Sequence, residues 1–371
     1  MESLGERMPE LKRAEIETYL KNIEGSSARI LNLQMLGKSG EEQLKGYGYG
    51  TPVMIDYIVG GKVQRAVLHT VKAGPFGHED MSDRAQSLLW EHSSFNRLPR
   101  HVRSLDIGAI RRDGSAVSLR DADEFFLLTE YAEGRAYAED LRRMKDNPTL
   151  TESDAARADA LCDYLVEIHS VRGGEPGLYV RRIRELVGHS ECIMGLIDSY
   201  PSQPDRLLHH IERQCVDWRW RIKSRVHRLR QVHGDFHPWN ILFDAGADFH
   251  LLDRSRGEWG DPADDVSCLT MNYLFFSLQR SGRLDGNFES LFLRFWERYL
   301  KRTGDEEMLE VVAPFFAFRG LVIAHPVWYP RLAKDVRRKL FNFIVAVLNK
   351  DRFDPSQVNS YCDEAYQERA A

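Results

Sequence analysis

The sequence lacks paired cysteines, long apolar runs and an excess of basic charge. Its five cysteines are scattered without a CxxC pair, which indicates reduced thiols rather than a disulfide framework. A net charge of −5 over 371 residues provides no general attraction to nucleic acid or anionic membrane. The apolar run FIVAVL at 343–348 is too short to span a bilayer, and the charged N-terminus has no apolar signal segment. These absences predict a soluble, cytoplasmic protein without nucleic-acid or membrane partners, and they leave the oligomeric state open.

The first third of the chain has the pattern of a small antiparallel sheet. After an amphipathic segment at 9–23, the stretches 28–36, 51–59 and 62–72 are rich in β-branched and aromatic residues. The pair Gly60-Gly61 predicts a hairpin turn between the last two of these strands. A helix is predicted from about Ser82 to Leu98, before Pro99. We expect the first third of the chain to be a small sheet with one helix.

The rest of the chain is predominantly helical in pattern. Thr151 followed by Asp154 predicts a capped helix start, and further helices are expected at 178–198, 203–228, 264–281, 287–302, 306–325 and 332–348. The predicted organisation is an N-terminal helix (1–27), a sheet lobe (28–128), a hinge (129–134), a larger mostly helical lobe (135–354) and a polar tail (355–371). The fold class is therefore α+β.

The segment HGDFHPWNIL at 233–242 crowds several functional side chains into one turn. His233 and His237 are four residues apart, a spacing that can bind zinc on a helix, but Gly234 and Pro238 disfavour a helix here. The other simple interpretation is a polar loop with hydrogen-bonded histidines. The segment alone does not decide between these alternatives.

The next two short strands predict where the loop's partners lie. The stretches 241–244 and 249–253 are strand-like around a turn at Ala245–Asp248, so a hairpin would return Asp253 to the loop that holds Asp235 and Asn240. Carboxylate and amide oxygens suit Mg²⁺, and a nearby carboxylate can take a proton from a substrate hydroxyl. This grouping is what metal-assisted phosphoryl transfer requires.

The motifs HGDFHPWN, LLD and GEWGDPADD, in this order over residues 233–265, resemble those of the aminoglycoside phosphotransferase and choline kinase superfamily. The resemblance implies a bilobal, protein-kinase-like fold and transfer of the γ-phosphoryl group of ATP or GTP to a hydroxyl of a small molecule, with Mg²⁺. It assigns Asp235 as the catalytic base and Asn240 and Asp253 as the metal ligands. His233 and Asp261 would support the loop, Asp261 by accepting its backbone N–H groups; the alternative for Asp261 is a helix cap before Pro262.

The resemblance also places a nucleotide site in the first lobe. Lys72 would pair with Glu91 and contact the phosphates, although two solvated charges are the plainer alternative. Backbone groups of Gly46, Gly48 and Gly50 could approach phosphate, or simply form a flexible hairpin tip, with LGKSG at 36–40 competing for the role. The adenine edge would meet the backbone near two hinge residues, Glu130 and Ala132, unless this is only a strand leaving the sheet.

The acceptor is the least determined part of the prediction. His237, Glu258 and Trp259 are candidate acceptor contacts. Glu258 and Trp259, with Trp328 and Tyr329, could serve an aminoglycoside or choline, or could belong to the core. Relatives usually carry an aromatic and an acidic residue after the metal-binding Asp, whereas this chain has Arg254-Ser255-Arg256. The basic stretch 218–230 is interpreted as a helix with a solvated basic face, with a nucleic-acid surface or a local site for an anionic substrate as alternatives.

Two other functions remain open at this point. The pairs Asp235–His237 and Asp261–Asp264 resemble ligand motifs of metal-dependent phosphoesterases, although His325 is the only histidine after Asp261. A pseudokinase-like module would bind nucleotide without transferring phosphate. The leading hypothesis is the small-molecule phosphotransferase.

Overall fold

The computed structural model describes residues 12–36, 52–74, 77–97, 99–125, 127–201 and 205–364. The chain divides into two compact units, Met1–Thr129 and Glu130–Ala371, so the division falls at the start of the predicted hinge. The first unit contains small antiparallel sheets and the second is mostly helical. The predicted α+β class is therefore confirmed.

The first unit is built on a three-stranded antiparallel meander. Its elements are α1 (Arg13–Glu24), β1 (Arg29–Met35), β2 (Val53–Val59), β3 (Lys62–Leu68), α2 (Met81–Phe95), β4 (Gly108–Ile110) and β5 (Ala116–Ser118). Strand order in the main sheet is β1-β2-β3, and β4 pairs with β5 in a separate hairpin. Gly60 and Gly61 form the predicted turn with φ angles of 56° and 78°, which only glycine adopts readily at both positions.

The N-terminal helix α1 belongs to the core of the first unit. Its buried residues Ile16 and Leu20 cluster with Ile30 of β1 and with Ile55 and Tyr57 of β2. The alternation along β2 places every second side chain on this buried face, as expected for a sheet covered on one side. Helix α2 has no fully buried residue and ends at Phe95, before the predicted end at Leu98.

The second unit packs eleven helices and two small sheets around one core. Its helices are α3 (Tyr137–Asp146), α4 (Glu152–Ser170), α5 (Pro176–Gly188), α6 (Ile193–Asp198), α7 (Asp205–Ile222), α8 (Ala263–Ser281), α9 (Gly286–Thr303), α10 (Met308–Val311), α11 (Ala313–Ala324), α12 (Lys334–Leu348) and α13 (Val358–Asp363). Its strands are β6 (Arg135–Ala136), β7 (Arg230–Gln231), β8 (Ile241–Phe243), β9 (Phe249–Leu251) and β10 (Trp259–Gly260). These counts cover the described residues alone, with 3₁₀ turns set apart.

The centre of the second unit is helix α8, which is buried on nearly all sides. A helix that is apolar around its whole circumference must lie inside the protein, and α8 packs against α3, α9 and α11. Helix α11, which is similarly apolar, packs against both α8 and α12. Across the described ranges, no helix is both long and apolar enough to cross a bilayer.

Two predicted helices are divided in the structure, and the predicted polar tail is partly ordered. The helix predicted at 178–198 is two helices, α5 and α6, because the backbone is extended at His189 and Cys192. The helix predicted at 306–325 is also divided, into α10 and α11, with Pro314 in the first turn of α11. Part of the predicted polar tail is ordered against the core, since α13 buries Tyr361 and Cys362.

Candidate active site

The hairpin β8–β9 joins two parts of the predicted site. Ile241 pairs with Leu251, and the N–H of Leu252 donates to the carbonyl of Asn240 at 2.9 Å. Asp253 therefore follows directly after a residue that is bonded to the loop, as the hairpin prediction required. Asp253 has a φ of 55°, a left-handed conformation that aspartate tolerates better than most residues.

Asn240 is bonded to Asp235 through its amide nitrogen. Nδ2 of Asn240 donates to the backbone oxygen of Asp235 at 3.1 Å and to its Oδ2 at 3.3 Å. This leaves Oδ1 of Asn240 without a donor among the residues that the structure describes. The exposed Asp253 carboxylate likewise has no donor or ion-pair partner in the described part of the chain. Two oxygens not engaged by the protein suit a hard cation such as Mg²⁺.

Asp235 lies between a buried arginine and a histidine. Nη1 of Arg319 donates to Oδ1 of Asp235 at 2.6 Å, and Nε2 of His237 lies 3.4 Å from Oδ2. Burial alone would raise the pKa of Asp235, but the His237 hydrogen bond and the Arg319 charge outweigh it and hold this pKa well below its usual range. Asp235 is therefore an anion at neutral pH and can accept a hydrogen bond from a substrate hydroxyl.

Arg319 is a site residue that the sequence analysis missed. It comes from α11, is 5% exposed, and also donates to the Gly234 carbonyl at 2.9 Å and to Oδ1 of Asp264 at 2.6 Å. A guanidinium in such a helix needs buried acceptors, because an unpaired charge there would be costly. The one signal in the sequence was an arginine inside the apolar run PFFAFRGLVIA.

Asp265, and not Asp261, accepts the backbone N–H groups of the loop. Its carboxylate receives the N–H of His233 at 2.7 Å and that of Gly234 at 2.8 Å. His169 Nε2 lies 3.1 Å from the same carboxylate and His169 Nδ1 lies 2.7 Å from the Tyr299 hydroxyl. The role predicted for Asp261 is therefore corrected: one helical turn further along, Asp265 is the carboxylate that faces the loop.

Asp261 instead joins the start of α8 to the preceding basic stretch. Arg228 binds both of its oxygens, at 2.8 and 2.9 Å, and the Tyr179 hydroxyl donates to it at 2.8 Å. The N–H of Ala263 donates to Asp261 at 2.9 Å, which is the helix-capping alternative considered for this residue. Burial raises the pKa of Asp261, but the charge and hydrogen bonds of Arg228 together with the hydrogen bonds from Ala263 and Tyr179 outweigh it, so this pKa lies below its ordinary value.

His233 connects the loop to the strand before Asp253. Its Nδ1 accepts the N–H of Asp235 at 3.2 Å, and the ring also bonds the backbone of Leu252. Burial lowers the pKa of His233, so the ring is neutral, with its proton on Nε2 toward Leu252. No group of three or more His, Cys, Asp or Glu residues placed to hold a metal ion occurs in the described ranges.

The residues predicted for nucleotide binding belong mostly to the first unit. Lys72 lies past the end of β3 and Glu91 lies in α2; both are exposed, and no ion pair joins these two described residues. Glu130 is exposed and Ala132 is half-buried, both in irregular backbone. Gly46, Gly48, Gly50 and the competing segment 37–40 lie outside the described residues. The nucleotide contacts therefore stay predictions.

The three predicted acceptor residues have different surroundings. His237 is half-buried beside Asp235, as given above. Glu258 is exposed and accepts the indole N–H of Trp259 at 2.9 Å, and Trp259 packs at the edge of the main core. Only His237 is thus joined to Asp235 by a contact in the structure, and all three acceptor roles stay predictions.

The basic stretch 218–230 is largely used within the protein. Arg228 is buried against Asp261, and Arg225 pairs with Glu307 at 2.7 Å. The guanidinium of Arg221 and the ammonium of Lys223 lie 4.0 and 3.0 Å from the ring centres of tryptophans 218 and 220. These intramolecular contacts account for most of the charge without an external ligand.

Comparison with known families gives one match that covers most of the chain. The family described as "Phosphotransferase enzyme family" matches residues 81–308, which include the whole loop, the hairpin and the start of α8. No curated protein matches the chain. The family match includes Asp235, Asn240 and Asp253.

Several solved structures are similar to this chain at low identity. An amicoumacin kinase, hAmiN, is 14% identical, with 90% of this chain and 92% of that chain covered and a TM-score of 0.42. A choline/ethanolamine kinase family protein from Mesorhizobium loti is 14% identical, with 69% and 78% covered and a TM-score of 0.36. The choline kinase LicA from Streptococcus pneumoniae is 13% identical, with 90% and 97% covered and a TM-score of 0.35.

Proposed function

The chain belongs to the phosphotransferase enzyme family, of the aminoglycoside phosphotransferase and choline kinase superfamily, and on that premise we propose that it transfers the γ-phosphoryl group of ATP or GTP to a hydroxyl of a small molecule. The observation that carries this proposal is the bonding of Asn240 to both parts of the site. Its side chain donates to Asp235 and its backbone carbonyl receives the N–H of Leu252, next to Asp253. Asn240 thus connects the proposed base to the residue that precedes Asp253, the other proposed metal ligand.

The three side chains have separate roles in this reaction. Asp235 orients the acceptor hydroxyl through Oδ2 and takes its proton, while Arg319 keeps the other oxygen occupied. The acceptor oxygen forms a bond to the γ-phosphorus, and the bond from that phosphorus to the β–γ bridging oxygen breaks. Asn240 and Asp253 would hold Mg²⁺, which neutralises charge on the phosphate oxygens. Because the protein adds no covalent step, positioning and electrostatics supply the rate.

Substitution of Asp235 tests this function directly. Asp235→Asn keeps the shape of the side chain but cannot take the proton, so acceptor-dependent ADP formation should fall by about 100-fold or more. Stabilisation of the protein by Mg²⁺ and ATP in a thermal melt should stay, because Asn240 and Asp253 are unchanged. Asp248→Asn, at the exposed turn of the same hairpin, is the matched control. Full activity of Asp235→Asn would remove Asp235 from the mechanism.

A further inference from the structure

Three arginines from separate elements surround Gly234, the residue before Asp235. Arg319 of α11 donates to the Gly234 carbonyl at 2.9 Å. Gly234 has a φ of 84°, and a Cβ built on it would lie 3.4 Å from Cβ of Arg256 and 3.8 Å from Nη2 of Arg182. Arg256 follows β9 and Arg182 belongs to α5. The fold therefore brings three arginine side chains from separate elements to the residue before the proposed base, with the guanidiniums of Arg319 and Arg182 near it.

The described carboxylates near these three arginines pair with Arg319 and Arg182 but not with Arg256. Arg319 is paired with Asp235 and Asp264. Arg182 donates to Glu185 at 2.9 Å, but Arg181 holds the same carboxylate at 2.6 Å. Arg256 makes no hydrogen bond or ion pair with any residue in the described ranges. Its guanidinium lies 4.6 Å from the ring centre of Phe318 instead.

Arg256 is consequently a half-buried cation whose donors are not engaged by any residue that the structure describes. Stacking on an aromatic ring fixes the guanidinium plane but leaves its N–H groups available. A planar, oriented guanidinium binds carboxylate or phosphate through two parallel hydrogen bonds. A second arginine, Arg182, has a side chain that is 22% exposed and an Nη2 3.8 Å from the Cβ position built on the same glycine. An ammonium group placed here would be repelled.

Both arginines lie beside the loop that carries Asp235. Asn240, a proposed metal ligand, bonds Asp235 from the C-terminal side of the loop, and nucleotide phosphates accompany the metal. Arg182 and Arg256 approach the loop from its N-terminal side, at Gly234. An anion held there would be next to Gly234, the residue that precedes the proposed base.

We propose that Arg256 and Arg182 form an anion subsite that binds a carboxylate or phosphate group of the acceptor. This inference rests on the proposed function and narrows it, because the acceptor would be a small hydroxylated anion. The γ-phosphoryl group of the nucleotide offers the same chemistry, and the experiments below separate the two sources.

A matched set of hexoses tests the charge preference. ADP formation is measured with glucosamine, glucose, glucuronate and glucose 6-phosphate, which share a ring and hydroxyls but differ in charge. We expect kcat/KM for the better of the two anions to exceed that for glucosamine by about tenfold or more, the effect of one or two charge-assisted hydrogen bonds. The same order is expected for glycolate, ethylene glycol and ethanolamine. Equal or better turnover of the amines would overturn the anion subsite while leaving the phosphotransferase function intact.

Substitution of the arginines separates acceptor from nucleotide. Arg256→Gln and Arg182→Gln should each raise KM for the anionic acceptor about tenfold, with KM for Mg²⁺–ATP and turnover of neutral glucose unchanged. Arg184→Gln, an exposed position on the same helix as Arg182, is the matched control and should change nothing. A rise in KM for Mg²⁺–ATP without a change for the acceptor would assign Arg256 to the nucleotide and overturn the proposal.

A binding measurement keeps the inference testable if none of these compounds is phosphorylated. Sulfate, added without nucleotide or metal, should raise the melting temperature of the wild-type protein more than that of Arg256→Gln, because only the wild type has the complete subsite. Equal shifts in both proteins would overturn the subsite. If Mg²⁺–ATP does not raise the melting temperature of the wild-type protein while sulfate still stabilises the wild type more than Arg256→Gln, the result would count against the phosphotransferase function and not against the subsite.

Discussion

Arg319 donates to Oδ1 of Asp235 at 2.6 Å, so the proposed catalytic base is ion-paired inside the protein before any substrate binds. The pair fixes one carboxylate oxygen and leaves the other, Oδ2, facing His237 and Asn240. Arg319 is 5% exposed, so solvent screens this interaction little. The arginine therefore fixes one carboxylate oxygen of Asp235 and, together with His237, keeps this carboxylate ionised.

Substitution of Arg319 should shift the pH dependence of the reaction. In the wild type the pKa of Asp235 lies well below its usual range, so its ionisation does not limit the rate near neutral pH. In Arg319→Met the burial of Asp235 is less opposed, its pKa rises, and the acid limb of kcat should move to higher pH. Arg319→Lys keeps the charge and should shift the limb less. A pH profile of Arg319→Met that matches the wild type would contradict this role.

The same substitution should lower stability, because it leaves buried carboxylates unpaired. Breaking a buried ion pair from one side costs about 3–5 kcal/mol. Urea unfolding followed by circular dichroism measures this loss and shows whether Arg319→Met is folded under the assay conditions. Arg319→Lys provides the folded comparison if Arg319→Met is not.

Removal of a proposed metal ligand should raise the requirement for Mg²⁺. Asp253→Ala and Asn240→Ala each remove an oxygen that has no donor among the described residues, so about tenfold more Mg²⁺ should be needed for half-maximal activity. The Mg²⁺-dependent part of the thermal shift by ATP gives a second readout that does not need turnover. Asp248→Asn should leave both measurements unchanged. An unchanged Mg²⁺ requirement in both alanine variants would place the cation elsewhere.

Substitution of Asp265 should weaken the position of the loop that begins at His233, because the Asp265 carboxylate accepts two of its backbone N–H groups. Asp265→Asn keeps the size of the side chain but turns an N–H₂ group toward backbone donors of His233 and Gly234. Loss of charged hydrogen bonds of this kind costs about 1.5–3 kcal/mol each. We expect lower stability in urea together with reduced kcat. Asp217→Asn, an exposed carboxylate on α7, is the control, and equal effects of the two substitutions would argue against a bracing role.

The Asp261–Arg228 pair predicts a definite dependence of stability on pH. The folded-state pKa of Asp261 lies below the ordinary value of 3.8, so its stabilising contribution is complete above that value and is lost as pH falls through the folded pKa. Asp261→Asn should therefore lower the free energy of unfolding by about 3–5 kcal/mol at pH 7 and equally at pH 5. The difference from wild type should shrink only below about pH 4. A difference that already disappears at pH 5 would exclude this assignment.

Local patterns in the sequence were sufficient for several elements. The Thr151 capping box forms as predicted, with Asp154 and Thr151 bonded in both directions. The hairpin β8–β9 has the predicted turn, so that Asp253 lies beside Asn240. These features depend on contacts between residues that are close along the chain, and turn and capping chemistry specifies them directly.

Contacts set by helix packing were not predictable in the same way. Asp261 lies just before α8 and Asp265 lies in its first turn, four residues later, so both are near the loop end of this helix. Which of them reaches the loop depends on where the helix axis points, and that direction is fixed by distant elements such as α9 and α11. Arg319 was missed for the same reason, since α11 meets the loop only through tertiary packing.

The left-handed backbone at Asp253 limits which residue types can occupy this position. A residue at this position must offer an oxygen to a cation and also accept a positive φ. Aspartate and asparagine combine these properties, because their short polar side chains are tolerated in that region. Glutamate would retain the charge, but the left-handed backbone conformation would cost it roughly 1–2 kcal/mol. Carboxylates that are interchangeable on most surfaces are thus chemically distinct at this one turn.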